Sequence, residues 1–139
     1  MNDLSIPSRT LAQDMDHWSS QRPDAPWLVE KWSSHEREIS WAEGVAEVRA
    51  AAAWLARHTG KPGTRVGLLA PNCAHWMLGD YAIMTSGGVT VPFFTTMDAD
   101  SISYTAEFSG VEVLLLGNAA NWSAVSHCFG PGIKVVRLP

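Results

Sequence analysis

Few residues of this sequence combine types and spacing that suit chemistry, and the most prominent are Thr85-Ser86-Gly87-Gly88. Hydroxyl- and glycine-rich loops that end in a lysine hold phosphate by turning backbone N–H groups toward the anion. Here the segment ends a helical pattern and runs straight into the β-branched Val89, and no lysine follows before Lys134. It reads as a helix stop, because glycine alone enters the left-handed conformation without steric cost. Asn72 and Cys73 follow an apolar run, at the kind of strand end where α/β sheets place ligands. No G-x-G-x-x-G stands at that turn, so a dinucleotide site is not supported. Asn72 suits a turn or cap, and Cys73 has no neighbouring base to make it a nucleophile.

The five histidines, His17, His35, His58, His75 and His127, share no metal-ligand spacing and read as solvated or capping groups. His75 alone is near the ligand edge, where it reads as a polar helix start. Asp98 and Asp100 resemble a paired carboxylate, but residues two apart do not share a helix face. They suit the positive end of a helix instead. The residues thus nominate no catalytic, cofactor-binding or metal-binding side chain.

The chain that would position such groups has 139 residues, 46% of them hydrophobic and 17% charged, enough for one buried core. A net charge of −4 and a pI near 5.6, with no Lys/Arg cluster, argue against nucleic acid as a partner. Met1 to Arg9 has no apolar core, so no secretory signal is expected, and no run is long enough to span a membrane. Cys73 and Cys128 are far apart without metal-ligand spacing and fit reduced thiols in the cytoplasm, with a disulfide as the alternative. The seven tryptophans are expected in core or edge packing.

Thr10 to Gln13 spells a capping box and opens a short helix to about Ser20. Trp27 to Trp32 and Glu38 to Ser40 read as a β-hairpin around Ser33 to Arg37. A second capping box, Ser40 to Glu43, opens a helix with Val45, Val48, Ala52 and Leu55 on one face. Val66 to Ala70 is a buried strand, Ala74 to Ser86 a helix stopped by Gly87 and Gly88, and Val89 to Val91 a strand closed by Pro92. Strand, helix and strand at this length make a right-handed βαβ crossover. Asp98 caps a helix over 99–109 whose buried side is Ile102, Phe108 and Tyr104, and Gly110 ends it. Strands follow at Val111 to Leu116 and Ile133 to Leu138, around a weaker helix from Trp122 to Cys128. The fold class is α/β: an open, doubly wound, mostly parallel sheet of about four strands, preceded by a helix and a hairpin. Residues 1–60 would form helix, hairpin and helix, and 61–139 a βαβαβαβ core.

Two blocks, Arg65-Val66-Gly67-Leu68-Leu69-Ala70-Pro71-Asn72 with Trp76 following, and Gly87-Gly88-Val89-Thr90-Val91-Pro92, are preceded by Lys61-Pro62-Gly63. In order and spacing they resemble AMP-forming acyl-CoA synthetases, the adenylate-forming ligases that include fatty-acid and aryl-CoA ligases. The resemblance runs from about Thr10 to the last strand and favours the fatty-acid branch. It implies a single partial domain, the N-terminal part of the family's large domain. The parent enzyme would activate a carboxylic acid with ATP and Mg2+ to an acyl-adenylate, then pass the acyl group to coenzyme A. The family's phosphate loop, ribose-binding acid, magnesium-associated glutamate and late lysine are expected beyond Pro139, so this chain alone should bind no cofactor and lack activity. Thr95 departs from the family, which often has proline after the Val-Pro-aromatic turn. A truncated relative serving as a binding or assembly module, and an unrelated doubly wound nucleotide binder, are the alternatives. The apolar parallel strands and the open edge at Ile133 to Leu138 predict a homo-oligomer, with Trp27 to Trp32 and Trp41 as exchanged or buried pieces.

Overall fold

A computed structural model describes residues 8–31 and 36–139, which fall into two compact units divided after Ala46. In the first unit, α1 (Leu11–Gln21) opens on the expected capping box, with the Thr10 hydroxyl accepting from the Gln13 N–H and the Gln13 side chain accepting from the Thr10 N–H. Strands β1 (Pro26–Lys31) and β2 (Glu36–Ser40) pair antiparallel as the predicted hairpin. Trp32 and most of the turn, His35 included, lie outside the described residues. The second box holds too: the Ser40 N–H donates to the Glu43 carboxylate at 2.9 Å and the Ser40 hydroxyl accepts from the Glu43 N–H at 3.3 Å. That box starts α2 (Trp41–Thr59), on which Val45, Val48, Ala52 and Leu55 are buried. Trp27 and Trp41, expected as exchanged or buried pieces, stack on each other within the unit at 4.6 Å.

The second unit is a four-stranded parallel sheet in the order β4-β3-β5-β6, made of β3 (Arg65–Leu69), β4 (Val89–Phe93), β5 (Val113–Leu116) and β6 (Lys134–Arg137). Between them run α3 (Ala74–Thr85), α4 (Ala99–Ser109), and the short α5 (Trp122–Val125) continued by a 3-10 turn to Cys128. Register places Leu69, Phe93 and Leu116 side by side on one face, where Ile102 and Ala106 of α4 and Val125 of α5 join them in one core. On the opposite face Gly79 of α3 approaches Leu68 and Leu115. Helices therefore cover both faces, as near-continuous apolar strands require.

Three expectations are corrected. Strand β4 does not stop before Pro92 but runs through it to Phe93, since β4 is an edge strand and a missing N–H there breaks no ladder. Helix α4 buries Ile102 and Ala106, whereas Tyr104 and Phe108 are 67% and 79% exposed and stack on each other in the open. Of the two glycines after α3, Gly87 alone takes positive φ, at +81°. Gly88 is held small by crowding instead, because a Cβ there would meet the Ile83 and Thr64 carbonyl oxygens at 3.2 Å.

Candidate functional site

Strands β3 and β4 end side by side, and the segments leaving them enclose a cleft of about 230 Å³ at the carboxyl edge of the sheet. One wall is Pro71, Asn72 and Trp76; the other is Phe94, Thr95 and Thr96, with Ala70, Pro92 and Phe93 at the base. None of these residues is charged. Trp76 is set by the start of α3, where the Cys73 thiol and carbonyl both accept from the Trp76 N–H, at 3.4 and 3.1 Å. Phe94 is set by a tight turn in which the Met97 N–H donates to the Phe94 carbonyl at 3.1 Å and the Phe94 N–H donates to the Met97 sulfur at 3.4 Å. Met97 in turn packs against the core. The Phe94 ring is thereby held 67% exposed.

In open α/β sheets ligands favour the point where successive helices leave for opposite faces. Here that point lies between β3 and β5, and it is shut. The Gly117 N–H donates to the Leu69 carbonyl at 2.9 Å, and a Cβ on Gly117 would lie 2.5 Å from that of Ala70. The open space falls one strand over, between β3 and β4. A larger hollow of about 490 Å³ at the amino end is bordered by His58, Glu112 and Lys134. Its polar groups are engaged: Lys134 lies over the Trp54 ring, Glu112 pairs with Lys61, and His58 donates to the Trp54 carbonyl.

The sequence candidates separate cleanly. Thr85 to Gly88 forms the end of α3, where the Gly87 N–H donates to the Met84 carbonyl at 3.0 Å and the Gly88 N–H to the Ile83 carbonyl at 2.9 Å. These are the two bonds of a Schellman stop. The amides a phosphate would need point back into the helix, and the carbonyl end of a helix repels anions. Asn72 is not the cap of α3: with the helix starting at Ala74, the capping position falls to Cys73, and Asn72 is left exposed on the cleft wall. His75 is buried rather than a polar helix start, with Nε2 3.6 Å from the Glu47 carboxylate.

His17 packs edge-on to Trp18, and His127 lies 3.7 Å from the Cys128 sulfur. Among the described residues no group of three or more His, Cys, Asp or Glu could hold a metal. Asp98 caps α4, accepting from the Ser101 N–H at 2.7 Å, a bond that lowers its carboxyl below the usual value. Asp100 lies in the first turn behind it. Tyr81 is raised by burial and then by the nearby Asp80, which itself accepts from the Thr90 hydroxyl at 2.6 Å. These groups fix elements of the fold, and none of them lines the cleft, whose polar side chains are the neutral Asn72, Thr95 and Thr96.

A parallel sheet covered by helices on both faces defines an open, doubly wound α/β domain. Over residues 15–133 the sequence matches the AMP-binding enzyme family, and the chain belongs to it. It is 24% identical over 149 residues to the long-chain-fatty-acid–CoA ligase FadD15 of Mycobacterium bovis, covering 98% of this chain and 24% of that protein. It is 30% identical over 144 residues to the 3-[(3aS,4S,7aS)-7a-methyl-1,5-dioxo-octahydro-1H-inden-4-yl]propanoyl:CoA ligase of Mycobacterium tuberculosis, covering 100% of this chain and 27% of that one. The fold is similar to the crystal structure of a fatty acyl-adenylate ligase from L. pneumophila, with TM-score 0.77 and 17% identity over 92% of this chain and 23% of that chain. The chain spans about a quarter of the length of the curated relatives it matches. No helix among the described residues is long and apolar enough to cross a membrane.

Proposed function

We propose that the chain is the N-terminal part of the large domain of a cytoplasmic AMP-forming acyl-CoA ligase, and that its role is to supply scaffold rather than catalytic groups. The parent enzyme converts a carboxylic acid, in our reading a fatty acid, to an acyl-adenylate with ATP and Mg2+, and transfers the acyl group to coenzyme A. The chemical logic is that a carboxylate is a poor electrophile until AMP makes one of its oxygens a good leaving group. The observation that carries the reading is the family match across residues 15–133, which takes in nearly the whole parallel unit. Stabilising transferring phosphoryl and acyl groups needs donors already in place, and the Schellman stop at Gly87 and Gly88 leaves the one loop that resembles such donors without free amides. Carboxylate-dependent ATP–pyrophosphate exchange tests this directly. The 139-residue chain alone should give no exchange above a protein-free control; exchange by that chain would overturn the scaffold reading. A chimera joining this chain to the remainder of FadD15 should restore it. A folded, soluble chimera without exchange would favour the alternative, a binding or assembly module of the same fold.

We further propose self-association through β6, whose outer edge is unpaired among the described residues and whose Val135 is 41% exposed. Light scattering over a dilution series should show a dimer or larger species, and a compact monomer at every concentration would refute it.

A further inference from the structure

We propose that the connector from Gly117 to Asn121 is a two-state gate, closed in this structure, whose opening exposes the crevice between β3 and β5. The Gly117 N–H on the Leu69 carbonyl and the fit of Gly117 against Ala70 hold it closed. The gate is independent of the ligase reading, because it follows from one side chain at the end of the connector.

That side chain is Asn121. Thr10, Cys73 and Asp98 each precede a helix with extended backbone, at ψ 163°, 170° and 165°, and each accepts from the N–H three residues on. Asn121 stands at the same place before α5, where asparagine is among the best capping residues. Its ψ is 2°, and its side chain makes no such bond. Both polar atoms, Oδ1 and Nδ2, are instead buried without a hydrogen-bond partner. Buried polar groups are nearly always paired, and an unpaired one forfeits its hydration for nothing. Chain added outside cannot relieve this, since atoms already shut off from solvent are out of reach of any outer group. A partner has to come from movement.

The movement is one rotation. Turning ψ of Asn121 from 2° to the extended region brings Oδ1 to the Ala124 N–H, which in the closed form donates to the Asn121 carbonyl at 3.0 Å. The Val125 N–H keeps that carbonyl, at 3.2 Å. Val125 and Phe129 are buried in the core, so α5 stays in place and the connector swings. The swing gives up the bonds from the Trp122 N–H to the Ala119 carbonyl and from the Gly117 N–H to the Leu69 carbonyl. In return Oδ1 gains its cap and Nδ2 regains water. Losses and gains of this kind nearly match, which puts the open form among minor states of about 0.1–10%. Opening lifts Gly117 from Ala70 at the switch point, where open α/β sheets receive ligands.

The test uses the 139-residue chain labelled with nitrogen-15. Relaxation dispersion should find one exchange process shared by the amides of Gly117, Ala119, Trp122 and Ala124 and absent from Val113 and Leu114 in β5. Asn121→Leu, of similar volume, removes the unpaired atoms from the closed form and the cap from the open one. It should abolish the dispersion and slow hydrogen exchange of the Gly117 N–H at least about fivefold. Asn121→Asp should speed that exchange at least about fivefold, because a carboxylate is worse to bury and still caps. A residue that merely fills space would not shift the two variants in opposite directions, and the wild-type dispersion stands alone should a variant fail to fold. Flat dispersion at these amides in the wild type, or equal Gly117 exchange in all three proteins, would sink the gate. So would a long-lived water in contact with the Asn121 side-chain amide protons, since the amide would then be satisfied where it stands.

Discussion

Replacing Gly117 by alanine tests how the sheet closes where a ligand crevice would otherwise open. The new Cβ would lie 2.5 Å from the Cβ of Ala70, which is itself buried at the end of β3. Carbon atoms rest at about 3.5–4.0 Å, so the two segments must separate by about 1 Å or more. Neither atom is the far end of a flexible side chain, and the Gly117 N–H is already bonded to the Leu69 carbonyl at 2.9 Å, so the separation strains that bond as well. Overpacking of this kind costs about 1–3 kcal/mol. With a urea slope of about 1–3 kcal/mol per molar, the midpoint should fall by roughly 1 M. Ala70→Gly removes the opposing methyl group, so the double variant should recover most of the loss, a coupling that a simple glycine-to-alanine propensity effect would not give. Gly79→Ala, inside α3, is the control of opposite sign. Its Cβ would touch the Leu68, Leu115 and Leu138 side-chain tips at 3.4, 3.5 and 3.9 Å, all ordinary contacts, and alanine should stabilise the helix by about 0.5–1 kcal/mol. Urea denaturation followed by far-UV circular dichroism reads the parent, the three single variants and the double variant. A neutral Gly117→Ala, or a double variant no better than the single, would refute the closure argument.

Gly87→Ala should destabilise by about 1–2 kcal/mol, because an L side chain is forced into the left-handed region that φ +81° requires, and a midpoint unchanged in urea would contradict the Schellman stop. Asp98 predicts a pH effect of defined sign. Its folded carboxyl titrates below the unfolded one because it accepts from the Ser101 N–H, so its stabilising contribution is complete above the unfolded value and is lost as pH falls through the folded value. Asp98→Asn keeps a capping oxygen that does not titrate, and thermal melts between pH 6 and 2.5 should show a smaller acid-side loss in the variant than in the parent.

What the sequence reveals is what short-range chemistry determines. Both capping boxes, the Asp98 cap, the Gly110 stop and the order of strands and helices follow from residues within a few positions of each other, and the structure shows them. The failures have a different origin. Helix α4 carries two stripes at i, i+4 spacing, Ile102 with Ala106 and Tyr104 with Phe108. Size alone puts Phe108 and Tyr104 with Ile102 on the buried side, but the sheet takes Ile102 with the small Ala106 and leaves the aromatic pair in water. The cap of α3 falls on Cys73, which preference alone passes over for the neighbouring Asn72, because a thiol is a weak acceptor and an amide oxygen a strong one. The cleft could not be read at all. Its walls come from residues 70–76 and 92–96, and only the parallel register that aligns Leu69 with Phe93 makes them neighbours.

Pro92 has a consequence for what can grow from this sheet. The Val89 N–H points inward to the Thr64 carbonyl, so by alternation the outward positions on β4 belong to Thr90 and Pro92, and proline has no hydrogen to offer. The outward Phe94 N–H is spent on the Met97 sulfur. One border of the sheet is therefore left with a single strand donor, while the other, at β6, keeps the outward amides of Val135 and Arg137. A further strand, whatever chain supplies it, would find more backbone donors beside β6 than beside β4.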